Sequence, residues 1–142
     1  MTFLKQASAG YLTNHLARLL AQRLQQRLAI HGLALGAFPA LLELWEEEGL
    51  TQKQVIEKLD IEQATSANTL NRMERDGLIA RQRDVNDGRV QRIYLTEKAR
   101  GLEAVAKAEA AGVNSELFSG IDTAEREAFV ATKQKLITQL KS

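Results

Sequence analysis

Between Leu50 and Thr96 the hydrophobic period changes twice, and this limits the folds open to the chain more than any other feature of its 142 residues. The stretch LTQKQVIEKLDI sets Thr51 and Gln54 at the spacing of a capping box, in which hydroxyl and amide each satisfy the other residue's backbone N–H. Val55, Ile56 and Leu59 then give a short face to bury. After a turn at Asp60 and Ile61, EQATSANTLNRMERDG resumes helical spacing with Leu70 and Met73 inward, and Gly77 suits the left-handed residue that ends a helix. Beyond Gly77 the period falls to two. LIARQR and VQRIYLT alternate in part and enclose DVNDG, whose asparagine, aspartate and glycine supply a hairpin turn. Two short helices joined by a tight turn make a helix-turn-helix. A hairpin directly after the second helix makes it a winged helix, expected over 36–96.

The flanks read as helices. Leu12, Leu16, Leu19, Leu20, Leu24 and Leu28 recur at three- and four-residue steps, predicting one helix over 3–31 that ends at Gly32. FPALLELWEEE repeats the pattern with Phe38, Leu41, Leu42 and Trp45, and Gly49 closes it. Trp45 is read as core packing, with ligand contact the alternative. From Thr96 and Glu97 a helix runs through an alanine-rich stretch whose larger apolar residues are Leu102, Val105, Val113 and Leu117. A last helix begins near Thr123, its expected N-cap, and ends near Leu140, with Phe129, Lys133, Leu136 and Ile137 at helical spacing. The leucine surface at both ends exceeds what one winged-helix core can cover, which points to an oligomer, a two-fold dimer being commonest. The whole is expected to be one mainly α domain with a small β-hairpin. Its helices at 3–31 and 97–142 serve mainly dimerisation.

Composition narrows the function. With no cysteine, thiolate catalysis, disulfides and cysteine-ligated zinc are excluded. His15 and His31 stand apart, with no carboxylate at ligand spacing, so no metal site is expected. Neither a glycine-rich phosphate loop nor a serine elbow occurs, which argues against an enzyme and against a cofactor. The longest stretch without Asp, Glu, Lys or Arg, Leu28 to Leu42, is broken by Gly32, Gly36 and Pro39 and cannot cross a bilayer. The first twenty residues read as an amphipathic helix rather than a signal peptide. A cytoplasmic protein is expected, without a membrane partner. Net charge is only +1, yet from Gln63 to Arg100 eight Lys or Arg face five acids, while WEEEG at 45–49 holds part of the acidic counterweight. On charge alone this is either a solvated arginine-rich face or a localised probe for a polyanion.

The body from Phe38 to Ala99 resembles the MarR family of bacterial transcriptional regulators. The resemblance rests on RMERDGLI at the helix-to-strand junction, on Asp87-Gly88-Arg89 in the wing and on LTEKA opening the next helix, in this order and spacing. IEQ with NTLNRMERDGLI is similar to the branch that includes SlyA. Two positions depart from that branch: Ala64 stands where proline often follows IEQ, and Asn68 where an arginine often reads bases.

The resemblance implies a homodimer with interlocked terminal helices, each subunit presenting a winged helix to double-stranded operator DNA. It also implies a cleft for a small aromatic carboxylate or related lipophilic anion, with His15 and Arg18 on the first helix as ligand candidates or simply surface residues. The second helix would lie in the major groove. With Leu70 and Met73 inward, Gln63, Ala64, Thr65, Asn68, Thr69 and Arg72 are expected on or beside the opposite face. Asn68 or Gln63 could pair with adenine, Arg72 reach guanine or phosphate, and Ala64 and Thr65 touch a thymine methyl. Arg89 fits a narrow minor groove. Asp87, by resemblance, orients it. Arg83 and Arg92 are expected at phosphates, with Arg81 a further candidate. The competing reading is a winged-helix protein-interaction module without operator binding.

Overall fold

The structure, a computed structural model, describes residues 2–142. A 3-10 turn at Lys5–Ala7 leads to α1 (Ala9–Ala29), and another at Leu35–Ala37 to α2 (Phe38–Glu46). Next come β1 (Leu50–Thr51), α3 (Gln52–Leu59), α4 (Gln63–Arg75), β2 (Ile79–Arg83) and β3 (Gln91–Leu95). Two longer helices, α5 (Glu97–Leu117) and α6 (Thr123–Lys141), complete the chain.

The helix-turn-helix forms where the local signals place it. Thr51 Oγ1 accepts from the Gln54 N–H at 3.1 Å, while Gln54 Oε1 accepts from the Thr51 N–H at 2.9 Å, closing the capping box that starts α3. Asp60 ends α3 in the left-handed region at φ 53°, and Gly77 (φ 74°) turns the chain out of α4. The Leu78 N–H donates to Met73 O at 2.9 Å across that turn, as in a Schellman cap.

Several expectations need correction. The first helix does not run over 3–31. Ser8 interrupts it, its Oγ accepting from the Tyr11 N–H at 3.2 Å, so α1 begins at Ala9. Gly49 does not close α2, which ends at Glu46. It sits at φ 81° in the link to β1, where a Cβ would touch the Tyr94 ring at 3.4 Å. The N-cap of α6 is Asp122, accepting from the Glu125 N–H at 2.8 Å, rather than Thr123. The hairpin also gains a third strand. β1 pairs antiparallel with β3, Leu50 opposite Ile93, giving the order β1-β3-β2 with Arg81 also opposite Ile93.

Leu28, Leu41, Leu44, Val55, Leu70, Met73 and Ile93 are the largest apolar side chains fully withdrawn from solvent. Leu44 is the fully buried residue of that turn of α2, and Leu42 and Trp45 pack beside it against the core. Trp45 is half-buried, its indole N–H donating to Ala99 O at 3.0 Å. In α5 the fully buried positions are Ala99, Ala106 and the expected Val113, seven residues apart, and Leu102 packs half-buried against the core. α1 buries only Leu28, and α6 buries nothing. Leu12, Leu19, Leu136, Ile137 and Leu140 stay exposed, as the surplus of apolar stripes predicts.

Because Leu70 holds α4 onto the core, Leu70→Ala is expected to cost about 2–5 kcal/mol, the range for a buried leucine. Urea unfolding measures it. A midpoint like that of the parent would show that α4 docks by other means.

Candidate nucleic-acid interface

The buried stripe of α4, Ser66, Leu70 and Met73, determines what the helix presents outward. At about 100° per residue, Ala64, Asn68, Asn71 and Arg75 lie most nearly opposite, and Thr65 and Arg72 flank them. All six are exposed. Gln63 is exposed in the first turn but lies nearer the buried stripe. Thr69 is half-buried, and its hydroxyl donates to Thr65 O at 3.0 Å, so it is less available than its sequence neighbours. Sequence reasoning thus found Ala64, Thr65, Asn68 and Arg72 but missed Asn71 and Arg75, which the same periodicity, anchored on Ser66 as well, would have supplied.

The wing is a built loop. β2 and β3 pair as far as Arg83 opposite Gln91, and residues 84–90 close above them through Asp84 N–H to Val90 O at 2.9 Å. Asp84 Oδ2 accepts from the backbone N–H groups of Asn86 and Asp87, both at 3.0 Å, in an Asx turn. No residue of this loop has positive φ, so the turn through Gly88 is made without a left-handed residue.

Four wing arginines divide into two kinds. Arg89 is nearly all in solvent, its side chain 92% exposed. Asp87 Oδ1 nevertheless holds it, accepting from its backbone N–H at 3.0 Å and its Nε at 3.1 Å. Arg83 is exposed and joins no ion pair among the described residues. Arg92 is engaged: its Nε donates to Asp84 Oδ1 at 2.6 Å and its Nη1 to Gly49 O at 2.7 Å, tying the wing loop to the lead-in of β1. Arg81 is more enclosed, its side chain 12% exposed, with Nη1 on Glu74 Oε1 and Nη2 on Asn71 Oδ1, both at 3.0 Å. The phosphate contacts expected of Arg92 and Arg81 therefore compete with contacts inside the protein. The carboxyls register this: the Arg92 guanidinium beside Asp84, and Arg89 beside Asp87, hold both below the ordinary aspartate range. Lys53, which sequence reasoning passed over, is exposed in the first turn of α3 and shares a groove of about 530 Å³ with Arg89.

A second hollow, about 650 Å³ and open, lies where α1, α2 and α5 meet. Leu20, Leu24, Phe38 and Leu42 supply its apolar walls, and Lys107 and Asn114 its polar groups. Lys107 Nζ is 2.6 Å from Glu103 Oε2 and 5.9 Å from the Trp45 ring centre. His15 and Arg18, the expected ligand candidates, are both exposed on α1 and do not line this hollow. His31 does meet a carboxylate, its Nε2 lying 2.9 Å from Glu109 Oε2, a pairing across 78 residues that sequence spacing could not show. Among the described residues no three potential ligands gather as a metal site would need, and no helix is long and apolar enough to cross a membrane.

Comparison with known proteins bears on this architecture. The pattern of the MarR family matches residues 33–90. The HTH-type transcriptional regulator TtmR of Methylorubrum extorquens (strain PA1) is 42% identical over 76 residues, 54% of this chain and 39% of that protein. The chain thus spans about two-fifths of the length of that curated relative. A MarR transcriptional regulator from Methanosarcina mazei Go1 superposes with a TM-score of 0.84 at 28% identity, covering 92% of this chain and 94% of the other. BpsR of Bordetella bronchiseptica, described as regulated in its DNA binding by 6-hydroxynicotinic acid, is 24% identical with a TM-score of 0.86, covering 96% and 97%. The pattern of the MarR family lies on the helix-turn-helix and wing, and the fold shared with the solved MarR regulator continues through the flanking helices.

Proposed function

We propose that the protein is a sequence-specific DNA-binding transcriptional regulator that acts as a homodimer. The observation that carries this is the wing tip: a guanidinium almost wholly in solvent, oriented by a neighbouring carboxylate, on the same lobe as a polar helix face. A solvated arginine with no task would gain little from such a hold, since exposed ion pairs contribute about 0–1 kcal/mol. Preorientation instead reduces the rotamer freedom lost when the side chain enters a groove. Arg89 is assigned to the minor groove, where narrow A·T steps concentrate negative potential. Ala64, Thr65, Asn68 and Arg72 are assigned to the major groove, with Gln63 and Thr69 at its margin. Arg83 and Lys53 are assigned to phosphates. Arg92 and Asp84 keep the wing in place, and Asp87 orients Arg89. Within the family, the IEQ and RMERDGLI stretches favour the SlyA-like branch.

The helices over 3–31 and 97–142 are assigned to dimerisation, because α6 buries nothing within its own chain and exposes Leu136, Ile137 and Leu140. The hollow at α1, α2 and α5 suits a flat, apolar anion. Its walls are aliphatic and aromatic, and Lys107 is its cation. The regulation described for BpsR makes an aromatic carboxylate such as 6-hydroxynicotinic acid the first compound to try. The alternative of a protein-interaction module gives the Asp87–Arg89 pair no task.

Mobility-shift titration of selected operator duplexes tests the main reading. Arg89→Ala is expected to weaken binding by about 1–3 kcal/mol, one good DNA contact, with the thermal midpoint unchanged. Footprints are expected over two half-sites roughly 10 bp apart. Parent protein that binds random duplex as well as any selected sequence would end this reading. For the dimer, replacing both Leu136 and Ile137 by Glu is expected to halve the mass measured by light scattering, and an unchanged mass would move the interface elsewhere. The wing has its own pH signature. Since the folded Asp84 carboxyl titrates below the ordinary 3.8, its contribution is complete above that value and is lost as the pH falls through the depressed one. NMR shifts of the Asn86 and Asp87 amides are expected to hold from neutrality to about pH 4 and to move together below it. In Asp84→Asn they are expected to lose that low-pH transition.

A further inference from the structure

Asn71 is exposed on α4, three residues beyond Asn68 and on the same outward face. Its Oδ1 lies 3.0 Å from Arg81 Nη2, while Arg81 Nη1 donates to Glu74 Oε1 one helical turn along. The guanidinium is nearly enclosed, so this fork joins β2 to the outer side of α4. A guanidinium has donors only. Whichever way a side-chain amide is drawn, the atom facing Arg81 must therefore be the oxygen. The Nδ2 group, with two N–H donors, then points away from the brace and has no intramolecular partner among the described residues. An aspartate would satisfy Arg81 better, because charge-assisted bonds are the stronger ones. What the amide adds is the pair of outward donors.

From this we propose that Asn71 is a further specificity-determining residue of the recognition face, held by Arg81 as a donor-only group. The proposal rests on the reading of α4 as the helix that enters the major groove. A donor-only amide engages acceptors of the duplex: guanine N7 and O6, thymine O4, a phosphate oxygen, or adenine N7 singly beside its opposing N6 donor. It cannot read adenine bidentately, because that pairing needs the amide oxygen to accept from N6 while the amide nitrogen donates to N7. Asn68 has no intramolecular side-chain partner among the described residues and keeps both functions. Two asparagines one turn apart are thus chemically different readers. Arg81 is the positioning residue that makes them so.

The test selects duplexes from a randomised pool with the full chain as parent, N71A, N71D, R81M and R89A, then titrates each against salt. The parent is expected to prefer guanine or thymine at one position of each half-site. N71A is expected to lose that preference, with affinity falling about 5- to 100-fold, the scale of one contact, and other positions unchanged. N71D retains the fork to Arg81, so its thermal midpoint is expected to hold while the same preference is lost. R81M frees the amide and is expected to admit adenine at that position, a change that a merely structural role would not produce. If N71A instead weakens all sequences alike, the acceptor is a phosphate, which carries no sequence information, and the specificity role is overturned. The proposal is overturned if N71A matches the parent in affinity, preference and slope, even where N71D alone weakens by charge repulsion. It is equally overturned if the parent requires adenine there and N71A relaxes that requirement. R89A separates the two levels. A parent that selects no sequence, with R89A indistinguishable from it, removes the DNA reading itself. Selection that R89A weakens and N71A leaves intact removes only the role of Asn71.

Discussion

The burial of one stripe of α4 is the constraint on which the rest depends. Ser66, Leu70 and Met73 are withdrawn into the core, and Ile93 of the central strand is buried in the same cluster. Once these are fixed, the helix has no rotational freedom left, and its opposite face follows from geometry alone. Ile93 carries the same constraint into the sheet, because it stands opposite Leu50 on one side and Arg81 on the other. Helix face and wing are thereby referred to a single apolar cluster.

On that base the ionic groups act as positioning devices more than as sources of stability. Arg92 joins the wing loop to Gly49, Arg81 joins β2 to α4, and Arg100 meets Glu48, which also accepts from the Leu95 N–H. Each of these arginines connects segments that the backbone joins only indirectly. Exposed or half-exposed pairs contribute little to folding free energy, but a planar fork with two fixed acceptors leaves few orientations open. The clustered charge of residues 72–100 is therefore not one surface. Part of it sets angles between elements, while Arg72, Arg83 and Arg89 stay exposed.

How much of this was legible in the sequence follows from the range of each interaction. The Thr51–Gln54 box and the glycine after α4 act within a few residues, and both were readable from spacing. The helix-turn-helix and hairpin were readable because their apolar periods extend over many residues. β1 was not, since a strand of two residues has no period. The buried alanines of α5, Ala99 and Ala106, were hidden because small residues give a weak hydrophobic signal. The division of the wing arginines was beyond reach for a different reason. Arg92 finds Gly49 across 43 residues, and Arg81 finds Asn71 across ten. A composition count treats all guanidinium groups alike.

The nakedness of α6 has a consequence for how such a molecule is handled. Most helical stability in proteins comes from packing an apolar face, and here none of the 19 residues of α6 is buried by its own chain. Under the proposed function its apolar side meets a surface supplied from outside, which makes folding and association one equilibrium. If that surface is a second copy, mass action governs the melting temperature, which rises with protein concentration and falls on dilution. Any comparison between variants of this chain then has meaning only at matched molarity.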